Sequence, residues 1–165
     1  MTQLSNMISS KLLLIAIALT CVGLEAGAVY FQYTAYMLPC PWCIIQRYLY
    51  TAIALTCAIT AFRPASATRL GAAVGALFGL AGIGAATWLV WVQAHPSVSC
   101  GIDPVETSLN KIPTAKLLPF LFKANGLCTT EYDPILGLSM PVWSLLAFIG
   151  MTLVLGFLAM RRRRA

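Results

Sequence analysis

The sequence predicts an all-α membrane protein, a four-transmembrane-helix bundle with both termini in the cytoplasm and a long outer loop between helices three and four. Three observations carry this. Hydrophobic residues make up 59% of the 165, charged residues only 10%, and mean hydropathy is +0.82. A soluble domain of this length cannot hide so much apolar surface, so the bilayer must serve as solvent for much of it. Four apolar runs are each long enough to span, and most of the basic residues flank those runs. The net charge of +6 therefore speaks for topology and lipid bilayer, and no nucleic acid partner is implied.

The first run covers residues 12–30, the second 44–62, the third 70–92 and the fourth 142–160, within one integral membrane domain spanning residues 1–165. Each supplies the roughly 20 residues a spanning helix needs. Helix is the expected form because backbone in hydrocarbon must satisfy its own hydrogen bonds. The first run, with Lys11 before it and Glu25-Ala26-Gly27-Ala28 near its end, faintly resembles a signal peptide. An acid inside the would-be cleavage site, and apolar character continuing through Val29, Tyr30 and Phe31, favour a retained span. In the third run, Gly71, Gly75, Gly79 and Gly82 recur at helical spacing. They either allow close helix contact or reflect the general frequency of glycine in membrane helices.

Charge orients the bundle. Lys11 precedes the first run, Arg63 and Arg69 lie between the second and third, and Arg161 to Arg164 follow the fourth, so seven of the eleven basic residues share one side. The opposite side has a loop at about 31–43 that is free of charge, and a longer one at about 93–141. In the longer loop Lys111, Lys116 and Lys123 are outnumbered by Asp103, Glu106, Glu131 and Asp133. The positive-inside rule places the termini in the cytoplasm and both of these loops outside.

That orientation sorts the six cysteines. Cys40 and Cys43 fall at the outer end of the second helix, and Cys100 and Cys128 in the long outer loop. These four face an oxidising compartment, where disulfides persist. Cys21 and Cys57 lie inside the first two spans and read as small packing residues.

The stretch PCPWCIIQR, residues 39–47, holds a Cys-x-x-Cys pair that suits three kinds of chemistry. A c-type haem needs histidine after the second cysteine, where Ile44 stands. Structural zinc wants four clustered ligands, whereas 27 residues separate Cys100 from Cys128 and Arg47 repels a dication. Redox chemistry fits the local physics better. Pro39 and Pro41 break any preceding helix, so Cys43 falls in the first turn of the second one, where unpaired N–H groups and the helix dipole favour a thiolate. Arg47, four residues on, adds a fixed positive charge on the same face. It lies about 6 Å below the helix end at 1.5 Å per residue, inside the membrane interface. An ionisable group there is a functional candidate, with a snorkelling anchor as the plainer alternative. A cation beside a thiolate at the lipid boundary can polarise a carbonyl of a lipid-soluble acceptor, which points to a quinone.

At these residues the chain resembles the disulfide bond formation protein B family (DsbB), bacterial inner-membrane thiol:quinone oxidoreductases. The matching segments are Glu25 with Tyr30-Phe31-Gln32-Tyr33, then Pro39-Cys40-Pro41-Trp42-Cys43 and Gln46-Arg47. Further on come Cys100, Cys128 and Leu136-Gly137-Leu138-Ser139-Met140-Pro141-Val142-Trp143. Cys-x-x-Cys alone is a weak signal, but these segments together are specific and cover nearly the whole chain. The resemblance implies a relay in the inner membrane with its active cysteines on the periplasmic side. Cys100 and Cys128 would form a loop disulfide that oxidises a periplasmic thioredoxin-like dithiol protein of the DsbA type, whose thiolate attacks Cys100. The freed Cys128 would exchange with Cys40, and Cys43 would become the thiolate that meets a bound quinone, ubiquinone or menaquinone, with Arg47 assisting. Electrons would pass from there to the quinone pool and the respiratory chain.

Several local features depart from that pattern or stand beside it. Where family members often carry tryptophan after the last cysteine, this chain reads Glu131-Tyr132-Asp133-Pro134. His95, the one histidine, stands five residues before Cys100 and reads as an ordinary interfacial side chain. Glu25 can either pair with Arg47 or hydrogen-bond elsewhere. Residues 117–122, LLPFLF, either lie along the membrane interface or form an apolar cluster within the loop. From another class, a four-span scaffold with static outer disulfides competes with the relay. It gives no reason for Cys-x-x-Cys at a helix start with an arginine one turn below, and its bridges would resist reduction where relay bridges are labile.

Overall fold

Pro41 opens a helix that the preceding residues cannot join, and that break organises the whole cysteine end. The computed structural model describes residues 2–64, 67–95, 104–130 and 132–160. Cys100, Asp103, Glu131 and Arg161 to Arg164 lie outside the described residues. Among the described residues the protein is all helical: α1 Thr2–Thr34, α2 Pro41–Ala61, α3 Thr68–Ala94, α4 Pro104–Lys111, α5 Pro113–Leu117, α6 Pro119–Phe122 and α7 Met140–Met160. Four of these, α1 from Ser10 onward, α2, α3 and α7, are long and apolar enough to cross a membrane.

The spans run slightly differently from the apolar runs. α1 continues past Tyr30 to Thr34, and it is unbroken through Glu25-Ala26-Gly27-Ala28. Its last turn is polar enough to have ended the hydropathy signal, but Gln32 has a partner on α2 that holds it in place. α2 begins three residues before its apolar run, because Pro at the first helical position needs no N–H partner. α7 likewise begins at Met140, just ahead of Pro141.

The spans alternate in direction. Arg69 Nε, in the first turn of α3, donates to the Ala159 carbonyl at the end of α7 (3.1 Å), so the positively flanked ends lie together. At the other end, Cys40 packs with Leu89 and Val92 from the last turns of α3. α3 packs most extensively on α7 and next on α2, while α1 lies mainly along α2. Glycine makes the α3–α7 approach possible. A Cβ on Gly79 would meet the Thr152 hydroxyl, and one on Gly82 would meet the Phe148 ring, so the glycine stripe serves close helix contact here. Phe148 in turn stacks on Tyr50 of α2, ring centroids 4.2 Å apart. Leu14, Ile17, Cys21, Ile53, Cys57 and Leu155 complete the core around that pair. Leu19, Leu70, Leu77 and Leu153 point outward and exposed, as lipid-facing positions should.

α1 and α7 approach each other at Cys21 and Met151, whose sulfurs are 3.4 Å apart. Nearer the cysteine end, residues of both helices and of the loops between them line a shared space instead.

Candidate functional site

Cys40 is the N-cap of α2, in extended conformation, and its Sγ accepts the backbone N–H of Cys43 at 3.4 Å. Pro41 occupies the first turn, so Cys43 stands at the third helical position. The two sulfurs are 2.9 Å apart. The sequence argument from Pro39 and Pro41 placed Cys43 in the first turn, and that is where it stands.

Cys128 comes to the same point from the far side of the sequence. It is 1% exposed and packs with Cys40, Leu89 and Val92, with Trp42 and Cys43 against them. Its sulfur hydrogen-bonds Cys40, and that contact, followed by the Cys43 contact and burial, pushes the Cys40 thiol far above the usual thiol range. Cys40 thus touches both Cys43 and Cys128. Of the four cysteines singled out in the sequence, three meet here, and Cys100 lies outside the described residues.

The segment before Cys128 is stitched down by backbone. The N–H groups of Asn125 and Gly126 both donate to the Pro39 carbonyl at 3.0 Å. Asn110 grips Ala124 twice: Nδ2 donates to the Ala124 carbonyl (3.0 Å), and Oδ1 accepts the Ala124 N–H (2.9 Å). After Cys128, the Tyr132 hydroxyl donates to the Leu38 carbonyl at 3.3 Å. The position where the family often has tryptophan therefore holds an aromatic residue packed back onto the cysteine loop, its phenol shifted upward by burial.

Arg47 does not snorkel. It is 6% exposed, and its Nη1 donates to Gln32 Oε1 (3.0 Å), the Leu121 carbonyl (3.0 Å) and the Phe120 carbonyl (3.4 Å). One nitrogen thus ties the end of α1 and the α6 segment to α2. LLPFLF accordingly divides. Leu117, Leu118 and Phe120 stay exposed, while Phe122 is buried and stacks on Tyr48 with centroids 4.3 Å apart. Glu25 accepts a hydrogen bond from Thr51 Oγ1 (2.7 Å), and among the described residues it makes no ion pair with Arg47. His95 ends α3, exposed, with its ring 4.7 Å from Trp91 and Nδ1 2.9 Å from the Trp91 carbonyl.

A cavity of about 820 Å³ opens beside the sulfurs, with Cys40, Cys43 and Cys128 in its wall together with Arg47, Gln46 and Glu25. The rest of the lining is mostly apolar, including Phe31, Leu89 and Trp143. Sequence reasoning gave Arg47 a role but took Gln46, which is 4% exposed, only as part of the Gln46-Arg47 family match. Tyr50 and Ser144 hydroxyls are 2.8 Å apart, and Ser144 Oγ donates to Gln46 Oε1 at 2.6 Å. That chain leaves Gln46 Nε2 buried with no hydrogen-bond partner among the described residues. An amide inside an apolar run was the available signal, because polar side chains at membrane depth are costly and need a reason. Opposite, Leu136 and Gly137 both have positive φ (53° and 83°), forming a two-residue turn closed by Ile135 and Leu138. Trp143 Nε1 caps it by donating to the Ile135 carbonyl at 2.9 Å.

Comparison with known proteins identifies the family. The family model "Disulfide bond formation protein DsbB" matches residues 10–158. Disulfide bond formation protein B of Herminiimonas arsenicoxydans is 57% identical over 155 residues, covering 94% of this chain and 98% of that one. Its counterpart from Ralstonia nicotianae is 40% identical over 157 residues, with 94% and 98% covered, and that from Cupriavidus necator is 41% identical over 157, with 94% and 96% covered. A buried sulfur cluster at a helix start, inside a four-span helical bundle, and a family match along almost all of its length lead to one conclusion: this chain belongs to the DsbB family of disulfide bond formation proteins.

Proposed function

We propose that this protein reoxidises a periplasmic thioredoxin-like dithiol oxidase of the DsbA type and delivers the electrons to a membrane quinone through two cysteine pairs. The observation that carries the proposal is the contact of Cys40 with both Cys43 and Cys128. Disulfide exchange needs an attacking, a central and a leaving sulfur. With Cys100 and Cys128 as the loop disulfide, the partner's thiolate attacks Cys100 and frees Cys128. The Cys128 thiolate then attacks Cys40. The Cys128–Cys40 bond forms as the Cys40–Cys43 bond breaks, and the electron pair leaves on Cys43. A thiol held protonated by its surroundings makes a poor leaving group, which suits Cys40 to the central position and Cys43 to departure.

The cavity fits a quinone head group. Its mostly apolar wall suits a ring and the start of an isoprenoid tail, and polar donors are few and fixed. Cys43 supplies the thiolate, Arg47 positive charge, and Gln46 an amide nitrogen without a partner in the protein. A quinone accepts two electrons and two protons, which the dithiol relay supplies. Arg47 holds its place through Gln32 and the α6 carbonyls while it also lines the cavity. Ubiquinone and menaquinone share the carbonyls these groups would meet.

The setting is the bacterial inner membrane, with the sulfur cluster on the periplasmic side and both termini in the cytoplasm. It rests on the clustering of Lys11, Arg63 and Arg69 at the end opposite Cys40. A periplasm-active reporter fused after Ala165 should stay silent and one inserted near Asn110 should be active; the reverse would overturn the orientation. The function itself is tested by quinone reduction in purified protein, driven by a reduced DsbA-type dithiol. Turnover with a bound quinone that changes colour on reduction is expected. Outer disulfides that resist a glutathione buffer, with no turnover, would instead make this a static scaffold.

A further inference from the structure

The relay needs Cys128 to reach Cys40, and nothing in the relay itself says what brings it there. The chain before Cys40 and the chain around Cys128 are far apart in sequence, yet they are joined at three points by the carbonyls of two consecutive residues. Pro39 accepts from Asn125 and Gly126, and Leu38 accepts from Tyr132. Leu38 and Pro39 can offer both carbonyls because the chain between Thr34 and Pro41 is neither helix nor strand, and Pro41 cannot donate across that gap. Gly126 is pressed against this stretch. A Cβ there would collide with the Leu38 carbonyl oxygen and come within 2.8 Å of its carbonyl carbon. Those are backbone atoms, which do not swing aside as a side chain does.

We propose that the Leu38 and Pro39 carbonyls form a docking rail that sets Cys128 against Cys40 for disulfide exchange, with Gly126 and Tyr132 as its positioning residues. The inference rests on the relay described above and adds to it the device that selects this pairing. Gly126 lets the loop backbone close on the rail, and the paired N–H groups of Asn125 and Gly126 fix its height. Tyr132 clamps the far side of Cys128, four residues on. The sulfur is thereby held from both directions, with Asn110 securing the segment at Ala124. Exchange through this contact breaks one disulfide and forms another, so it consumes no oxidant, and its rate is governed by approach of the sulfurs.

Positioning is separable from chemistry because the helix-end pair can meet quinone without Cys128. The full chain in detergent, carrying Cys43→Ser and Cys100→Ser, keeps Cys40 and Cys128 as the sulfurs at the site. Their pairing under mild diamide oxidation is followed by mass mapping of the Cys40–Cys128 bond. Adding Gly126→Ala should slow pairing by about tenfold to 100-fold, since misplacing reacting atoms by about 1 Å is costly at that level. Tyr132→Phe, which deletes one hydroxyl, should slow it by roughly 2- to 5-fold. In chains that retain all cysteines, single-turnover oxidation of dithiothreitol-reduced Cys40–Cys43 by a short-chain quinone should be unchanged by Gly126→Ala, a position outside the cavity wall. A generally loosened protein would lose that step as well. Normal pairing in Gly126→Ala would overturn the rail. If Gly126→Ala also loses the quinone step, Tyr132→Phe decides: slowed pairing with an intact quinone step supports the rail, and normal pairing overturns it. Failure of Cys40 and Cys128 to pair in the reference chain would overturn the relay, and the rail with it.

Discussion

Cys40 and Cys57 belong to one helix, its cap and its interior, and their surroundings differ in the contacts that govern sulfur chemistry. Cys57 is fully buried among Leu14, Ile53 and Leu155, and Cys21, its counterpart on α1, rests its sulfur on Met151. Cys40 has Cys43 at 2.9 Å, hydrogen-bonds Cys128, and opens onto the cavity that Arg47 and Gln46 also line. Buried cysteine alone behaves as a small apolar side chain. What separates the two regions is contact with a partner thiol, a supply of unpaired helix-start N–H groups and access to a ligand. Burial is shared by both.

The largest expected effect tests the reactive region directly. Cys43→Ser should reduce partner-driven quinone reduction to background, because exchange at Cys40 then has no leaving thiolate. Substituting Cys40 should do the same for want of a central sulfur. Steady-state loss of quinone absorbance measures both, and turnover surviving in either variant would place the redox pair elsewhere. Cys100→Ser should be equally silent toward the soluble partner, yet it should leave Cys40–Cys43 open to oxidation by quinone. Loss of both steps in a folded Cys100→Ser protein would mean that the two pairs do not act in separable stages.

Arg47 comes next, with an intermediate effect. It was legible as a candidate from its position one turn after Cys43, but its partners were not. Phe120 and Leu121, which take its Nη1, are more than seventy residues away, and their backbone carbonyls carry no sequence signature. Arg47→Ala leaves those two carbonyls and Gln32 without their donor, and should lower kcat/KM for quinone about 10- to 100-fold. Arg47→Lys keeps a cation and part of the clamp but loses the planar fork, so its loss should be smaller. Trypsin cleavage after Lys116 and Lys123 should quicken in the alanine variant, because α6 has lost its tie to α2. Unchanged kinetics in both, with faster cleavage, would make Arg47 a loop anchor and nothing more.

Legibility followed the range of the forces involved. The four spans were readable because each is a local run of apolar residues, and Cys43 was placed in the first helical turn by two prolines beside it. The α3–α7 contact was half readable: Gly79 and Gly82 offered a close approach as one of two readings, while Thr152 and Phe148 as its partners required the fold. Span ends were less readable. Tyr30 ends the apolar run, but Arg47 holds Gln32 and α1 continues to Thr34. The relay pairing, with Cys128 against Cys40, came from the family resemblance. The backbone hydrogen bonds from Asn125 and Gly126 to Pro39 that support it are long-range and sequence-blind.

The smallest expected effect lies in the quiet region and tests whether it is quiet. Cys57→Ala removes one sulfur from a site where Gly75 of α3 already brings backbone close, a Cβ on that glycine falling 3.9 Å from the Cys57 sulfur. The void left behind is about the size of a methyl group, so stability should fall by about 1 kcal/mol, well under the 2–5 kcal/mol of a leucine truncation. Quinone reduction at saturating partner should match the parent protein, because nothing on the electron path touches α2 four turns below its start. Thermal unfolding in detergent and steady-state turnover, measured on the same preparation, give the two numbers. Lost turnover with an unshifted unfolding temperature would show that Cys57 takes part in the chemistry. In that case burial among apolar side chains would no longer suffice to tell a packing cysteine from a working one in this bundle.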